Sequence, residues 1–133
     1  SVVGPEIRQN GGELFHWFMA QSGSINGFTG AIWSGVTTIE LAKAVKWAIE
    51  NNITGLYHLT NNSSISKFEL LKLFQKYTKK NILINPSNEV NLDKSFKDTR
   101  MLINYKIPSY EEMVNQMISL IKNKNKLYSQ YRL

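Results

Sequence analysis

The chain contains no cysteine. That absence excludes disulfides, thiolate metal sites and a cysteine nucleophile together, and it fits a reducing, cytoplasmic setting, which is the expected location. No apolar run approaches the ~20 residues a membrane-spanning helix requires, so no membrane partner is expected. Histidine is scarce: His16 and His58 lie far apart, without helical or hairpin ligand spacing, and no metal site is expected. The eight glycines never form G-x-G-x-x-G or G-x-x-G-x-x-G; Gly27 and Gly30 have one correct gap, but the next position of the pattern is Trp33. The chain therefore has no ready-made diphosphate cradle at a helix start. None of the six tyrosines is followed four residues later by lysine. With neither a dinucleotide loop nor a Tyr-x-x-x-Lys pair, no catalytic residue is expected in this chain.

What is present is ordinary globular material. The 133 residues are 42% hydrophobic and 20% charged, enough for one core and for one domain or the smaller part of a two-domain protein. Residues 1–133 read as a single portion. Ser1-Val2-Val3-Gly4-Pro5-Glu6 lacks the basic start and apolar stretch of a signal peptide. An apolar pair followed at once by Gly-Pro resembles the last turn of a strand, so residues 1–4 are expected to be a strand end and the chain to begin in mid-protein. The net charge is +6. Its lysines are dispersed over several segments, which fits solvated helix faces better than a nucleic-acid surface.

Periodicity and capping signals give an alternating order. Residues 5–12 form a Gly-, Pro- and Asn-rich loop. Residues 13–21 form a short helix too apolar for a solvated surface, hence buried or covering a pocket. Residues 24–29 and 31–33 are short strands broken by glycine. Thr37 and Glu40 have capping-box spacing before a helix to about residue 51, with Ile39, Ala42, Val45 and Ile49 as its buried stripe. Residues 55–60 read as a strand. Ser66 and Glu69 cap a helix through residue 77 whose stripe is Leu70, Leu71, Phe74 and Tyr77. A strand at 81–85 is stopped by Pro86, and 87–97 is a polar loop. Residues 98–104 make one or two helical turns. Ser109 and Glu112 cap a last helix carrying Met113, Val114, Met117, Ile118 and Ile121, and the tail from Lys122 either continues that helix or frays. The fold class is α/β, with short strands alternating with about four to five helices.

Open α/β sheets bind ligands beyond the carboxyl ends of their strands. Glu6, Arg8 and Asn10 follow such an end and either contact a polar ligand or belong to a solvated loop. Trp33, in a glycine-rich stretch, either stacks on a base or sugar or plugs the core, and aromatic bulk favours the core. Lys94 and Arg100 flank a late polar segment from which either could grip a diphosphate, with surface charge the simpler account of Lys94. His16, between Phe15 and Trp17, reads as a packed or pocket-edge residue.

These pieces, in this order, resemble the C-terminal half of the extended short-chain dehydrogenases/reductases, most closely the sugar-nucleotide reductase group typified by dTDP-4-dehydrorhamnose reductase. The resemblance covers nearly the whole chain. Ser1-Val2-Val3-Gly4-Pro5-Glu6 is similar to the end of the sixth Rossmann strand, and Leu14-Phe15-His16-Trp17-Phe18 to the helix after it. Gly35-Val36-Thr37-Thr38-Ile39-Glu40-Leu41-Ala42 stands where the family has Gly-x-Pro-Thr leading into a Leu-Ala helix. Gly55-Leu56-Tyr57-His58-Leu59 resembles its Gly-x-Tyr-His-Leu strand. Ser95-Phe96-Lys97-Asp98-Thr99-Arg100 resembles its Ser-x-Leu-Asp-Thr segment, and the stretch from Tyr105 to Pro108 its closing turn. Thr37 replaces the proline, and Ile32-Trp33 stands where these reductases usually have Asp-Gln, which favours a divergent sugar-nucleotide reductase over the rhamnose enzyme itself.

The resemblance implies the C-terminal part of an NAD(P)-binding Rossmann-type protein whose N-terminal Rossmann portion is absent from this chain. Ser1, Val2 and Val3 would pass the nicotinamide. NAD(P)H would bind the full-length parent, with none expected on this chain alone, and the partner ligand would be a nucleoside-diphosphate sugar. The implied function is the substrate-binding part of an NAD(P)H-dependent reductase of a nucleoside-diphosphate-linked keto-deoxysugar. Two alternatives stand beside it: a nucleotide-sugar epimerase or dehydratase of the same fold, and a non-enzymatic nucleic-acid- or protein-binding module, against which the dispersed lysines argue. Apolar surface left uncovered by a missing half favours self-association, so a homo-oligomer is among the expectations.

Overall fold

The structure, a computed structural model, describes residues 1–99 and 104–133. The elements run β1 (Val2–Val3), α1 (Leu14–Ala20), β2 (Ser24–Trp33), β3 (Val36–Thr37), α2 (Thr38–Glu50), β4 (Ile65–Ser66), α3 (Lys67–Thr78), β5 (Leu83–Lys94) and α4 (Tyr110–Asn123). The α/β class expected from the sequence is what forms, with four helices among the described residues. The strands make two small sheets. In one, β1 and β3 pair in parallel, Val2 opposite Val36 and Val3 opposite Thr37. In the other, β2 lies between β4, antiparallel, and β5, parallel. Parallel pairs need crossover connections; α1 and β2 lie in the crossover from β1 to β3, and α2 and α3 in the one from β2 to β5.

The core lies where α1, α3 and α4 meet β2. Phe15 and Phe18 of α1 and Phe74 of α3 are fully buried. The Phe15 and Phe74 rings meet edge to face at 5.2 Å, and Phe18 closes on Phe74 at 5.6 Å. Leu70, Leu71 and Phe74 of α3 and Met113, Val114, Met117, Ile118 and Ile121 of α4 are buried, as their spacing predicts, whereas Tyr77, the fourth residue of the expected α3 stripe, is only half-buried. Both helices open with complete capping boxes, Ser66 with Glu69 and Ser109 with Glu112.

Several local expectations are corrected. The glycines do not break the strand at 24–33; β2 is continuous, with one irregularity between Phe28 and Gly30. Gly27 is needed for close approach instead: a β-carbon there would stand 3.0 Å from the Phe68 α-carbon and 2.8 Å from its ring. Pro86 does not stop the strand at 81–85, and residues 87–94 are strand rather than loop. β5 is an edge strand, where an imide nitrogen without hydrogen is tolerated. Residues 55–60 lie outside both sheets among the described residues, and Gly55 takes φ +100°. The turns expected at 98–104 fall partly on residues 100–103, outside the described residues.

The second helix is the largest departure. Thr37 Oγ1 accepts from the Glu40 amide at 3.3 Å as expected, but the Glu40 carboxylate does not reach back. It is buried and accepts from the Tyr105 hydroxyl at 2.6 Å. Trp47 also packs on Tyr105, with ring centroids 5.3 Å apart. These contacts set the roll of α2, so Glu40 and Ala44 face inward while Ala42, Val45 and Ile49 of the expected stripe are exposed, Ile49 to 72%.

The tail neither extends α4 nor frays. It turns back, and Tyr131 is buried against Phe15 with ring centroids 5.3 Å apart.

Candidate functional site

A cleft of about 530 Å³ opens beside the carboxyl end of β2, within the range of small-ligand sites. One wall is Ser1, Val2 and Val3 of β1; a second is Gly12, Glu13, Leu14 and Trp17 at α1. The floor is Phe28, Ala31, Ile32 and Trp33 of β2, and the remaining sides are Lys67 and Leu70 of α3 with Val90, Leu92 and Lys94 of β5. The lining is mainly apolar, with Glu13, Lys67 and Lys94 as its charged residues.

Local chemistry explains the shape. The β1–β3 pairing carries Ser1 to the end of β2, where the Trp33 indole N–H donates to Ser1 Oγ at 2.5 Å. The tryptophan ring is half-buried and tilted over Tyr110 at 5.9 Å, so it is both core plug and cleft floor. Gly35 makes this junction possible: a β-carbon there would stand 2.0 Å from the Ser1 carbonyl oxygen and 2.4 Å from the Trp33 ring. Burial pushes the Tyr110 hydroxyl up to about 12, and that hydroxyl donates to the Ser63 carbonyl at 2.7 Å.

The structure thus brings together Ser1, Val2, Val3, Trp33 and Lys94 from the residues singled out in the sequence. Glu6, Arg8 and Asn10 are not among the cleft-lining residues. Glu6 instead organises the loop before α1, where its Oε1 accepts from the Glu13 amide at 2.6 Å. Its backbone amide donates to the Tyr131 hydroxyl oxygen at 3.0 Å, and its carbonyl accepts from Gln130. The Tyr131 hydroxyl lies 2.9 Å from His16 Nδ1, and His16 Nε2 lies 3.0 Å from the Gln9 carbonyl oxygen. A carbonyl only accepts, so Nε2 donates to Gln9. His16 is therefore a packed, hydrogen-bonded residue that ties the tail to the loop. Arg8 and Asn10 are exposed, and Arg100 lies outside the described residues.

Lys67, Trp17 and Glu13 were not picked out one by one in the sequence. The signal for Trp17 was the over-apolar helix 13–21, and this tryptophan lines the cleft while 39% exposed. Lys67 follows the Ser66 cap directly, a place where the helix dipole disfavours a cation; that mismatch was its available signal. Among the described residues no group of three metal-ligating side chains occurs, and no helix is long and apolar enough to cross a membrane.

No known protein family matches the sequence, and no curated protein matches it. Solved structures do. A dTDP-4-dehydrorhamnose reductase from Bacillus anthracis, solved in complex with NADP, superposes with a TM-score of 0.70 at 20% identity over 83% of this chain. One from Clostridium acetobutylicum gives 0.70 at 12% identity over 85%. A dTDP-glucose 4,6-dehydratase from Bacillus anthracis, solved with NAD, gives 0.60 at 9% identity over 90%. The chain spans less than half of each of these structures, 44%, 45% and 42% respectively. It therefore shares the α/β fold of part of the dTDP-4-dehydrorhamnose reductases and of related sugar-nucleotide enzymes.

Proposed function

We propose that this chain is the substrate-binding part of an NAD(P)H-dependent reductase acting on a nucleoside-diphosphate-linked keto-deoxysugar, working in the cytoplasm with a Rossmann half supplied outside these residues. The observation that carries this reading is the cleft at the β2 end, where Ser1, Val2, Val3, Trp33 and Lys94 share one lining. A mainly apolar pocket with a few cations suits a ligand with a flat base and a charged bridge. The fold shared with two structures named as dTDP-4-dehydrorhamnose reductases, one of them in complex with NADP, adds support.

The residues of this chain do not by themselves fit a dinucleotide. The cleft wall at Ser1–Val3 offers one strand and no glycine-rich turn at a helix start. The chain's own part is binding: β1 and α1 with Trp17 wall the pocket, Trp33 lies on its floor, and most of the lining is apolar. The test is heat protection and turnover of the longer protein that carries this chain. Protection by dTDP-sugars and oxidation of NADPH with a keto-sugar substrate are expected; a protein that neither binds NAD(P)H nor is protected by a nucleotide sugar overturns the reading. A dehydratase or epimerase is the second reading, favoured by the shared fold with a dTDP-glucose 4,6-dehydratase, and product analysis separates it from a reductase.

A further inference from the structure

The α1 wall of the cleft has little of its own to hold it. α1 is seven residues long, and a helix that short is marginal without tertiary support. Its N-cap residue, Glu13, makes no side-chain capping bond. Phe15 and Phe18 anchor one face in the core, while Glu13, Leu14 and Trp17 line the cleft. The start of the helix is fixed instead from the tail. The Gln130 side-chain amide donates to the Glu6 carbonyl, and the Glu6 amide donates to the Tyr131 hydroxyl oxygen at 3.0 Å. With its backbone held on both sides, Glu6 presents its carboxylate to the Glu13 amide at 2.6 Å. Gly11 lets the loop close over that carboxylate, since a β-carbon there would stand 2.0 Å from Oε2. A second route runs through His16, whose Nδ1 lies 2.9 Å from the same Tyr131 hydroxyl and whose Nε2 donates to the Gln9 carbonyl at 3.0 Å. One hydroxyl thus ties both the loop and the helix. Its ring is already ordered by burial against Phe15, so these bonds need little further loss of side-chain freedom.

We propose that residues 124–133 are a strap that holds the α1 wall, with Tyr131 as a positioning residue that sets where Glu13 and Trp17 stand toward a bound ligand. The proposal rests on the reading of the cleft as the substrate site and adds a residue that shapes it from outside the lining. Tyr131 is not among the cleft-lining residues; it acts through Glu6 and His16. Strap and ligand are then linked: a ligand that needs the wall in place stabilises the strap, and the strap raises affinity by the same factor.

The test is Tyr131→Phe, which keeps the ring and removes only the hydroxyl. Fluorine NMR of the chain labelled with fluorotryptophan reads the wall directly. The Trp17 signal should shift or broaden, while that of Trp47, which packs on Tyr105 outside the cleft lining, should stay in place. Gln130→Ala should move the Trp17 signal too. Tyr128→Phe, a hydroxyl deletion in the same tail that leaves these bonds intact, should not. In the longer protein, Tyr131→Phe should raise KM for a dTDP-sugar about fivefold, as one lost hydrogen bond implies. Its kcat should stay within about twofold, because the wall holds substrate and supplies no reacting group. A hydroxyl that merely stabilises the fold would lower the unfolding midpoint and leave the Trp17 signal where it is, and that result overturns the strap. A displaced Trp17 signal with unchanged KM overturns Tyr131 as a positioning residue. A longer protein without turnover on any nucleotide sugar sinks the substrate reading instead, and the Trp17 signal then decides the strap by itself.

Discussion

Glu40 carries an unusual load for a helix residue. It sits at 2% exposure, with Oε1 taking the Tyr105 hydroxyl hydrogen at 2.6 Å. Its Oε2 is buried without a hydrogen-bond partner among the described residues, and the Lys43 ammonium lies 3.8 Å away. A buried carboxylate needs its remaining partners. Tyr105→Phe is therefore expected to destabilise the chain by about 1–3 kcal/mol, measured by urea unfolding. Burial and then the Glu40 bond push the Tyr105 hydroxyl up to about 12 from 10.0. A raised value means the folded state holds this proton more tightly. The associated stability is full below pH 10.0 and declines as pH rises towards about 12. In Tyr105→Phe the alkaline decline over that window should be shallower than in wild type, with Tyr77, Tyr110 and Tyr131, also raised, contributing to what remains.

At the scale of elements, the signals that worked were those that close within four residues. Ser66 Oγ accepts from the Glu69 amide at 3.1 Å, and the Glu69 carboxylate takes the Ser66 amide at 2.9 Å; Ser109 and Glu112 repeat the pattern. Ser66→Ala should cost about 1 kcal/mol in thermal unfolding, and Ser109→Ala should shift in the same direction. The serine amides, and then the serine hydroxyls, hold the Glu69 and Glu112 carboxyls below the usual 4.5. A lowered value places this stability above the ordinary carboxylate range and removes it as pH falls through the folded value. The acid limb of the stability profile should therefore flatten in the serine variants. Elements that depend on distant partners were read less well. Residues 87–94 look like loop because they are polar, but pairing with β2 makes them strand, and an edge position exposes their side chains. Residues 55–60 have strand composition, yet strand propensity cannot specify a partner.

Across the whole molecule, the exposed face of α2 stands out. Leu41, Val45 and Ile49 follow one another at four-residue intervals at 37%, 50% and 72% exposure, an apolar stripe with no cover from the described residues. Ile49→Lys should change the stability of the chain by less than about 0.5 kcal/mol, and it should reduce concentration-dependent association in sedimentation velocity if that face drives it. The same stripe shows where sequence reading stops. Helical spacing gave α2 an apolar stripe of Ile39, Ala42, Val45 and Ile49, which shares only Val45 and Ile49 with this face; periodicity is a property of neighbours along the chain. It could not tell whether that face lies inside, since the Glu40–Tyr105 contact that sets the roll joins residues 65 apart. The cleft follows the same division. The α/β order and the capped helices were legible in residue type and spacing. The union of β1, Trp33, Lys67 and Lys94 around one cavity, and the diversion of Glu6 to the Tyr131–His16 network, were not. Those depend on strand register and on a tail folding back across 125 residues, contacts that no local pattern encodes.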